Sequence, residues 1–142
     1  MAVSSTAVTT WNGSLLDGGG SVNLASSGSS LAVDWRARSE GGTARTTPEE
    51  LIAAAHSSCY SMALSHALGE AGTPPTTLRT EAVVTFVPGT GITGSHLTVV
   101  GRVPGLSAAD FDRVAQEAKT GCPVSVALAS IPITLDARLD TE

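Results

Sequence analysis

The stretch "TPEELIAAAHSSCYSMALSHALG" places Ile52, Ala55, Cys59, Met62, Ala63 and His66 at three- and four-residue spacings, which predicts one face of an α-helix. Its limits are marked chemically. Thr47 suits the N-cap, Pro48 the first helical position, and Glu50 completes a T-x-x-E capping box, while Gly69 suits the C-cap and "GTPP" forbids continuation. The other face is rich in Ala, Leu and Ser, so the helix is expected to be buried nearly all round. Upstream, residues 7–37 hold short β-prone runs ("VTTWNGSLL", "SVNLA", "LAVDWRAR") punctuated by Gly and Ser clusters, which predicts a meander or hairpins. Residues 39–45, "SEGGTAR", read as a flexible loop. Downstream, Leu78, Ala82, Val84 and Phe86 alternate with Arg79, Glu81 and Thr85 along one strand, "PGTGITG" turns, and Leu97, Val99 and Val103 line a second strand. Ser107 with Asp110 caps a helix whose inner face is Phe111, Val114, Ala115 and Ala118. Gly121 ends it, Pro123 opens a short third helix, and "IPITLDARL" is a last strand. Strands cluster instead of alternating with helices, which favours an α+β fold, with residues 1–142 as a single domain.

Composition changes that picture at one point. Charged residues make up 15% of the chain and aromatics 4%, so the surface is poor in charge and the core poor in large rings. Both fit a chain that buries further apolar surface in an oligomer. The net charge of -5 and the absence of any Lys or Arg run argue against nucleic acid and anionic membrane as partners. No apolar stretch is long enough to span a bilayer. The opening "MAVSSTAVTTWNGS" has neither a positive n-region nor an h-region, so no secretory signal is read there and a cytoplasmic location is expected. Two cysteines outside any C-x-x-C pair are too few for a zinc site, and no metal or cofactor is expected.

The chemistry that remains is that of Cys59 and Cys122. A thiol acts as nucleophile only as thiolate, and an ordinary cysteine is mostly protonated at neutral pH. Cys59 lies mid-helix, where the helix dipole gives little help; Cys122, between Gly121 and Pro123, sits at the edge of the short helix, where free N–H groups favour a negative sulfur. Cys59 reads equally as a small buried hydrophobe among alanines. His56, three residues earlier, is either a base or a packed structural histidine, and Glu49 and Glu50 are at the least helix-start carboxylates.

Two longer stretches, "TPEELIAAAHSSCYSMALSHALGEAG" and "AKTGCPVSVALASIPITLD", together with "FDRVAQ" before the second and the "WNG" at Trp11, resemble the OsmC/Ohr family of thiol peroxidases across most of the chain. The "AAH" preceding the first cysteine is similar to the OsmC branch rather than the Ohr branch. The resemblance implies antiparallel-rich sheets wrapped around central helices in an intertwined homodimer with composite sites. It implies that Cys59 attacks a hydroperoxide, preferentially an organic one and more weakly hydrogen peroxide, and becomes a sulfenic acid. Cys122 would resolve this to a disulfide, which an external dithiol, lipoylated protein or thioredoxin-type partner reduces.

The family also uses an arginine to hold the thiolate and a glutamate to orient it. The glutamate corresponds to Glu49. Helix phase agrees, since Glu49 and Cys59 lie about 80° apart whereas Glu50 faces roughly the opposite way. Their axial separation is roughly 15 Å, so Glu49 acts through a long arginine or in the other subunit's pocket. Arg38 in "RARSEGG" best matches the family's arginine, with Arg36 and Arg45 as flanking alternatives. Ile52, Met62 and Phe111 are candidates for an apolar substrate pocket. A redox-sensing or small-apolar-ligand-binding dimer without turnover is the alternative reading.

Overall fold

A computed structural model describes residues 1–141 as two three-stranded sheets and four helices. Strands β1 (Val8–Asn12), β2 (Gly19–Leu24) and β3 (Ser29–Val33) form an antiparallel meander in the order β1-β2-β3. Helix α1 (Trp35–Glu40) follows, then the long α2 (Pro48–Glu70). Strands β4 (Thr77–Val87) and β5 (Gly91–Arg102) form an antiparallel hairpin. Helices α3 (Ala108–Gly121) and α4 (Pro123–Ala127) then cross over to β6 (Ile133–Leu139), which pairs parallel to β5.

The core lies between this second sheet and the helices. Leu97 and Val99 of β5 meet Tyr60, Leu64 and Leu68 of α2 and Phe111, Val114, Ala115 and Ala118 of α3. Helix α3 buries the face its sequence predicts, and the strand alternation also holds. Packing beneath α3 is tight: a Cβ on Gly101 would stand 2.6 Å from Phe111 Cζ, a separation only glycine avoids. Polar ties fix α2 in this frame. The Tyr60 hydroxyl donates to the Ala115 carbonyl (2.9 Å) and the Ser61 hydroxyl to Thr80 Oγ1 (2.7 Å).

Three sequence expectations are corrected. The segment after β3 is the helix α1, not strand and loop. Asp34 caps it by accepting from the Ala37 N–H at 2.7 Å, and an Arg36–Glu40 pair bridges one turn. Six residues show too little periodicity to announce this. Helix α2 begins at its predicted cap, where Thr47 accepts from the Glu50 N–H, but it runs one residue past Gly69 and Ala71 is its C-cap. Its buried face is also rotated from the expected one. Glu49, His56, Tyr60, Leu64 and Leu68 point inward, whereas Ala55, His66 and Met62 (72% exposed) point out. With small apolar residues on both sides, spacing alone could not choose between the faces.

The first sheet is the less usual part. It joins the rest of its own chain through α1 and through Thr46, whose N–H donates to the Ala32 carbonyl. Val8, Trp11, Leu15, Leu16 and Leu31 around it are all exposed. A small sheet with apolar residues in water on this scale lacks a covering layer.

Candidate active site

The two cysteines meet. Helix α2 carries Cys59 on its partly buried flank, and the bend between α3 and α4 presents Cys122, which is fully buried. Their sulfurs are within hydrogen-bonding reach of one another. Pro123 starts α4 immediately after Cys122, so the N–H groups of that first turn point back at the sulfurs. The Val124 N–H favours the ionised form of both thiols and the Ser125 N–H that of Cys122.

These surroundings treat the two thiols oppositely. Burial pushes Cys59 up; the Val124 N–H opposes this, and the neighbouring Cys122 adds to the rise. Burial also acts to raise Cys122, but hydrogen bonds from the Ser125 N–H, Cys59, the Ser125 hydroxyl and the Val124 N–H outweigh it, and the net shift is downward. Within one protomer the shared proton therefore favours Cys59.

His56 lies one turn before Cys59 and is fully buried. Its Nδ1 is 2.7 Å from the Ser95 hydroxyl of β5, and its Nε2 is 2.9 Å from the Ser125 hydroxyl of α4. Burial lowers its pKa, so the ring is neutral at neutral pH.

Arg38 and Glu49 form a second cluster. Glu49 Oε1 accepts from Arg38 Nε at 3.0 Å and from Nη2 at 2.8 Å, and Oε2 lies 3.3 Å from Nε. The guanidinium also lies over the Phe86 ring, 4.2 Å from its centroid, and Trp35 meets that ring edge-on. Fork, carboxylate and aromatic face together fix the guanidinium plane, and Nη1 is left for another acceptor. Arg36 pairs instead with Glu40, and Arg45 with Asp34. Arg38 further forms part of the wall of a cavity of about 360 Å³, whose apolar lining includes Trp11, Leu15, Val22, Trp35 and Leu51.

A family model described as OsmC-like protein matches residues 40–136. This chain belongs to the OsmC-like family. Peroxiredoxin OsmC of Escherichia coli (strain K12) is 44% identical to it over 133 residues, covering 91% of this chain and 92% of that protein. The OsmC-like protein from Mycoplasma pneumoniae superposes with a TM-score of 0.75 at 13% identity, covering 99% of this chain and 100% of that one. The organic hydroperoxide resistance protein OhrB of Bacillus subtilis gives 0.63 at 20% identity, covering 95% and 98%. At such identities these two show a shared fold, the α+β architecture expected from the sequence.

In this OsmC-like chain the four residues singled out from the sequence fall into two pairs. Cys59 stands with Cys122, and Arg38 with Glu49. Glu49 opens α2 and Cys59 lies almost three turns along it, so the pairs are roughly 15 Å apart along the helix axis. Of the residues expected to line an apolar pocket, Phe111 is in the core, Met62 lines a cleft with His66 and Pro75, and Ile52 is half-buried. Ser95 and Ser125 are not foreseen from the sequence, and Phe86 is foreseen only as a strand-face residue and not as the ring beneath Arg38. Ser125 alone carried a signal, standing three residues after Cys122 at the head of a helix. Among the described residues no cluster of His, Cys, Asp or Glu could hold a metal ion, and no helix is long and apolar enough to cross a membrane.

Proposed function

We propose that Cys59 is the attacking residue through which this chain, a cysteine-based hydroperoxide peroxidase, reduces organic hydroperoxides, and that Cys122 resolves it. The observation that carries this reading is the meeting of the two thiols from distant parts of the sequence, with Cys59 part-exposed to an incoming peroxide and Cys122 fully buried behind it. The Cys59 thiolate attacks the terminal peroxide oxygen, the O–O bond breaks, and the alkoxide leaves as alcohol after taking a proton. The Cys122 sulfur then attacks the Cys59 sulfenic acid, the S–O bond breaks, water leaves, and a disulfide forms. An external dithiol, small or carried on a lipoylated or thioredoxin-type protein, reduces it through a mixed disulfide.

The cation for this chemistry comes from a second copy of the chain. Arg38 and Glu49 of one subunit complete the pocket of the other subunit's Cys59, which lowers the thiol that burial raises within one protomer. Three observations support a homodimer with composite sites: the separation of the two pairs along α2, the exposed apolar first sheet, and the outward-facing Met62 side of α2. The cavity beside Arg38 suits a hydroperoxide's organic part, with the guanidinium at its polar end. We place the protein in the cytoplasm, where dithiol reductants are available. Relatives named for peroxidase activity do not favour a sensor or ligand-binding dimer without turnover.

The test is steady-state consumption of tert-butyl hydroperoxide and of hydrogen peroxide under a dithiol. Cys59→Ser abolishes both activities, and Cys122→Ser supports one turnover or slow recycling. Full activity in Cys59→Ser overturns the reading.

A further inference from the structure

The chain Ser95–His56–Ser125 ties β5, α2 and α4 together and ends one helical turn past Cys122, whose ionised form the Ser125 hydroxyl favours. We propose that His56 is a positioning residue for the resolving step, acting through the Ser125 hydroxyl to aim and ready the Cys122 sulfur. The inference rests on the reading of Cys122 as the resolving thiol.

Proton counting gives the direction. A neutral imidazole donates from one nitrogen and accepts at the other. For the Ser125 hydroxyl to donate to a Cys122 thiolate, its proton must point at sulfur, so its oxygen is free to accept from His56 Nε2–H. His56 Nδ1 then accepts from the Ser95 hydroxyl. Every proton in this arrangement has an acceptor, and the sulfur gains a donor. In the opposite arrangement Nδ1–H donates to Ser95 and the Ser125 hydroxyl donates to Nε2. The Ser125 oxygen then accepts from a Cys122 thiol. The two tautomers of one buried ring thus match the two protonation states of Cys122. Attack on the Cys59 sulfenic acid needs the first: Cys122 gives up its proton, its electron pair forms the S–S bond, and the departing hydroxide ends as water.

A histidine is a costly way to fill a buried site, because two nitrogens must be satisfied without water. Here both are satisfied, and among the described residues no buried side-chain polar atom lacks a partner. The ring also stands one helical turn from Cys59, so the same side chain registers both sulfur-bearing segments. The titratable groups around Cys122 are Cys59 and Tyr60 of α2 and, through Ser125, His56. Burial, followed by the charges of Cys122 and of Asp112 on α3, holds the Tyr60 phenol protonated. Tyr60 therefore takes no proton from Cys122, and once Cys59 is oxidised the Ser125–His56 pair is the remaining titratable connection among the described residues.

The experiment is a single turnover with tert-butyl hydroperoxide and no reductant. Mass spectrometry follows the sulfenic acid as a gain of oxygen and the disulfide as a loss of hydrogen. In Ser125→Ala and His56→Gln the rate of disulfide formation falls about tenfold relative to that of sulfenic acid formation, the scale of one hydrogen bond to a charged group. Ser125→Thr, which keeps the hydroxyl, restores the ratio. In a Cys59→Ser background, thiolate absorbance shows Cys122 titrating about one unit higher once Ser125→Ala is added. An unchanged ratio and an unmoved titration overturn the inference, as does an equal fall of both rates. If wild-type protein forms no sulfenic acid at Cys59, the underlying reading of the cysteines fails instead.

Discussion

Arg38 grips Glu49 with two nitrogens, Nε and Nη2 at 3.0 and 2.8 Å from the same carboxylate oxygen, while its guanidinium lies on Phe86. Glu49 is 5% exposed, so this carboxylate is held out of water with the arginine as its partner. Such a fork restricts the cation to one plane and one direction, and a lysine ammonium cannot reproduce it. Arg38→Lys is therefore expected to lower kcat/KM for tert-butyl hydroperoxide by about a hundredfold, within the range for losing an oriented electrostatic contact in an active site. Glu49→Gln keeps a hydrogen-bond acceptor but loses the charge, and should cost less, about tenfold, by loosening the arginine. Steady-state kinetics on the two variants checks the order; equal, negligible losses would contradict it.

The pH profile follows from the sign of the Cys59 shift. Burial raises this thiol within a protomer, with Cys122 adding to the rise. The Val124 N–H opposes the rise without cancelling it, and an added cation would bring the thiol down further. Because the thiolate is the reactive form, alkylation of Cys59 increases with pH until the thiol is ionised. In a Cys122→Ser background, where no proton is shared, Arg38→Ala should move that rise to higher pH by at least about one unit. Iodoacetamide rates across pH give the curve. A profile indifferent to Arg38 would remove the arginine from the pocket.

How far the sequence carried is clearest from two helices. Helix α3 has one apolar face over one core, so Phe111, Val114, Ala115 and Ala118 could be read directly. Helix α2 has small or apolar residues all round, and its inward face appears only with the packing: Tyr60 against α3 and His56 between Ser95 and Ser125. These partners come from β5 and α4, far along the chain, so spacing held no trace of them. The choice of Arg38 over Arg36 and Arg45 rests on family resemblance, and its pairing with Glu49 is a contact that spacing could not announce. The capping chemistry of Thr47 and Ser107 was legible because it is local. Asp34 follows the same rule over a helix too short to suggest itself.

His56 also gives stability a pH dependence. Its folded pKa lies below the ordinary value of 6.5 because the charged ring would lose its hydration. The unfolded chain thus binds a proton that the folded chain refuses. Stability from this residue is fully present above pH 6.5 and is lost as pH falls from there toward the folded pKa. Urea midpoints at pH 7.5, 6.5 and 5.5 should fall for wild-type protein, and the fall should be smaller in His56→Gln (the pH values span roughly one unit to either side of an ordinary histidine). Parallel curves for the two proteins would show that another group sets the slope.

Subunit mixing decides where the cation comes from. Arg38→Ala and Cys59→Ser should each be nearly inactive alone. Mixed in one composite dimer, they leave one pocket with Arg38 from the first chain missing and Cys59 from the second missing, and a second pocket with both residues intact. If Arg38 and Cys59 served the same pocket from one chain, every pocket in the mixed dimer would lack one of them. Random reassembly makes about half the dimers mixed, each with one intact pocket of two, so about a quarter of wild-type activity should return. Differential tags confirm that mixed dimers have formed. Mixed dimers without activity would mean that Arg38 reaches the sulfur of its own chain. That would require α2 or α1 to move far from the positions in which Glu49 and Cys59 stand almost three turns apart.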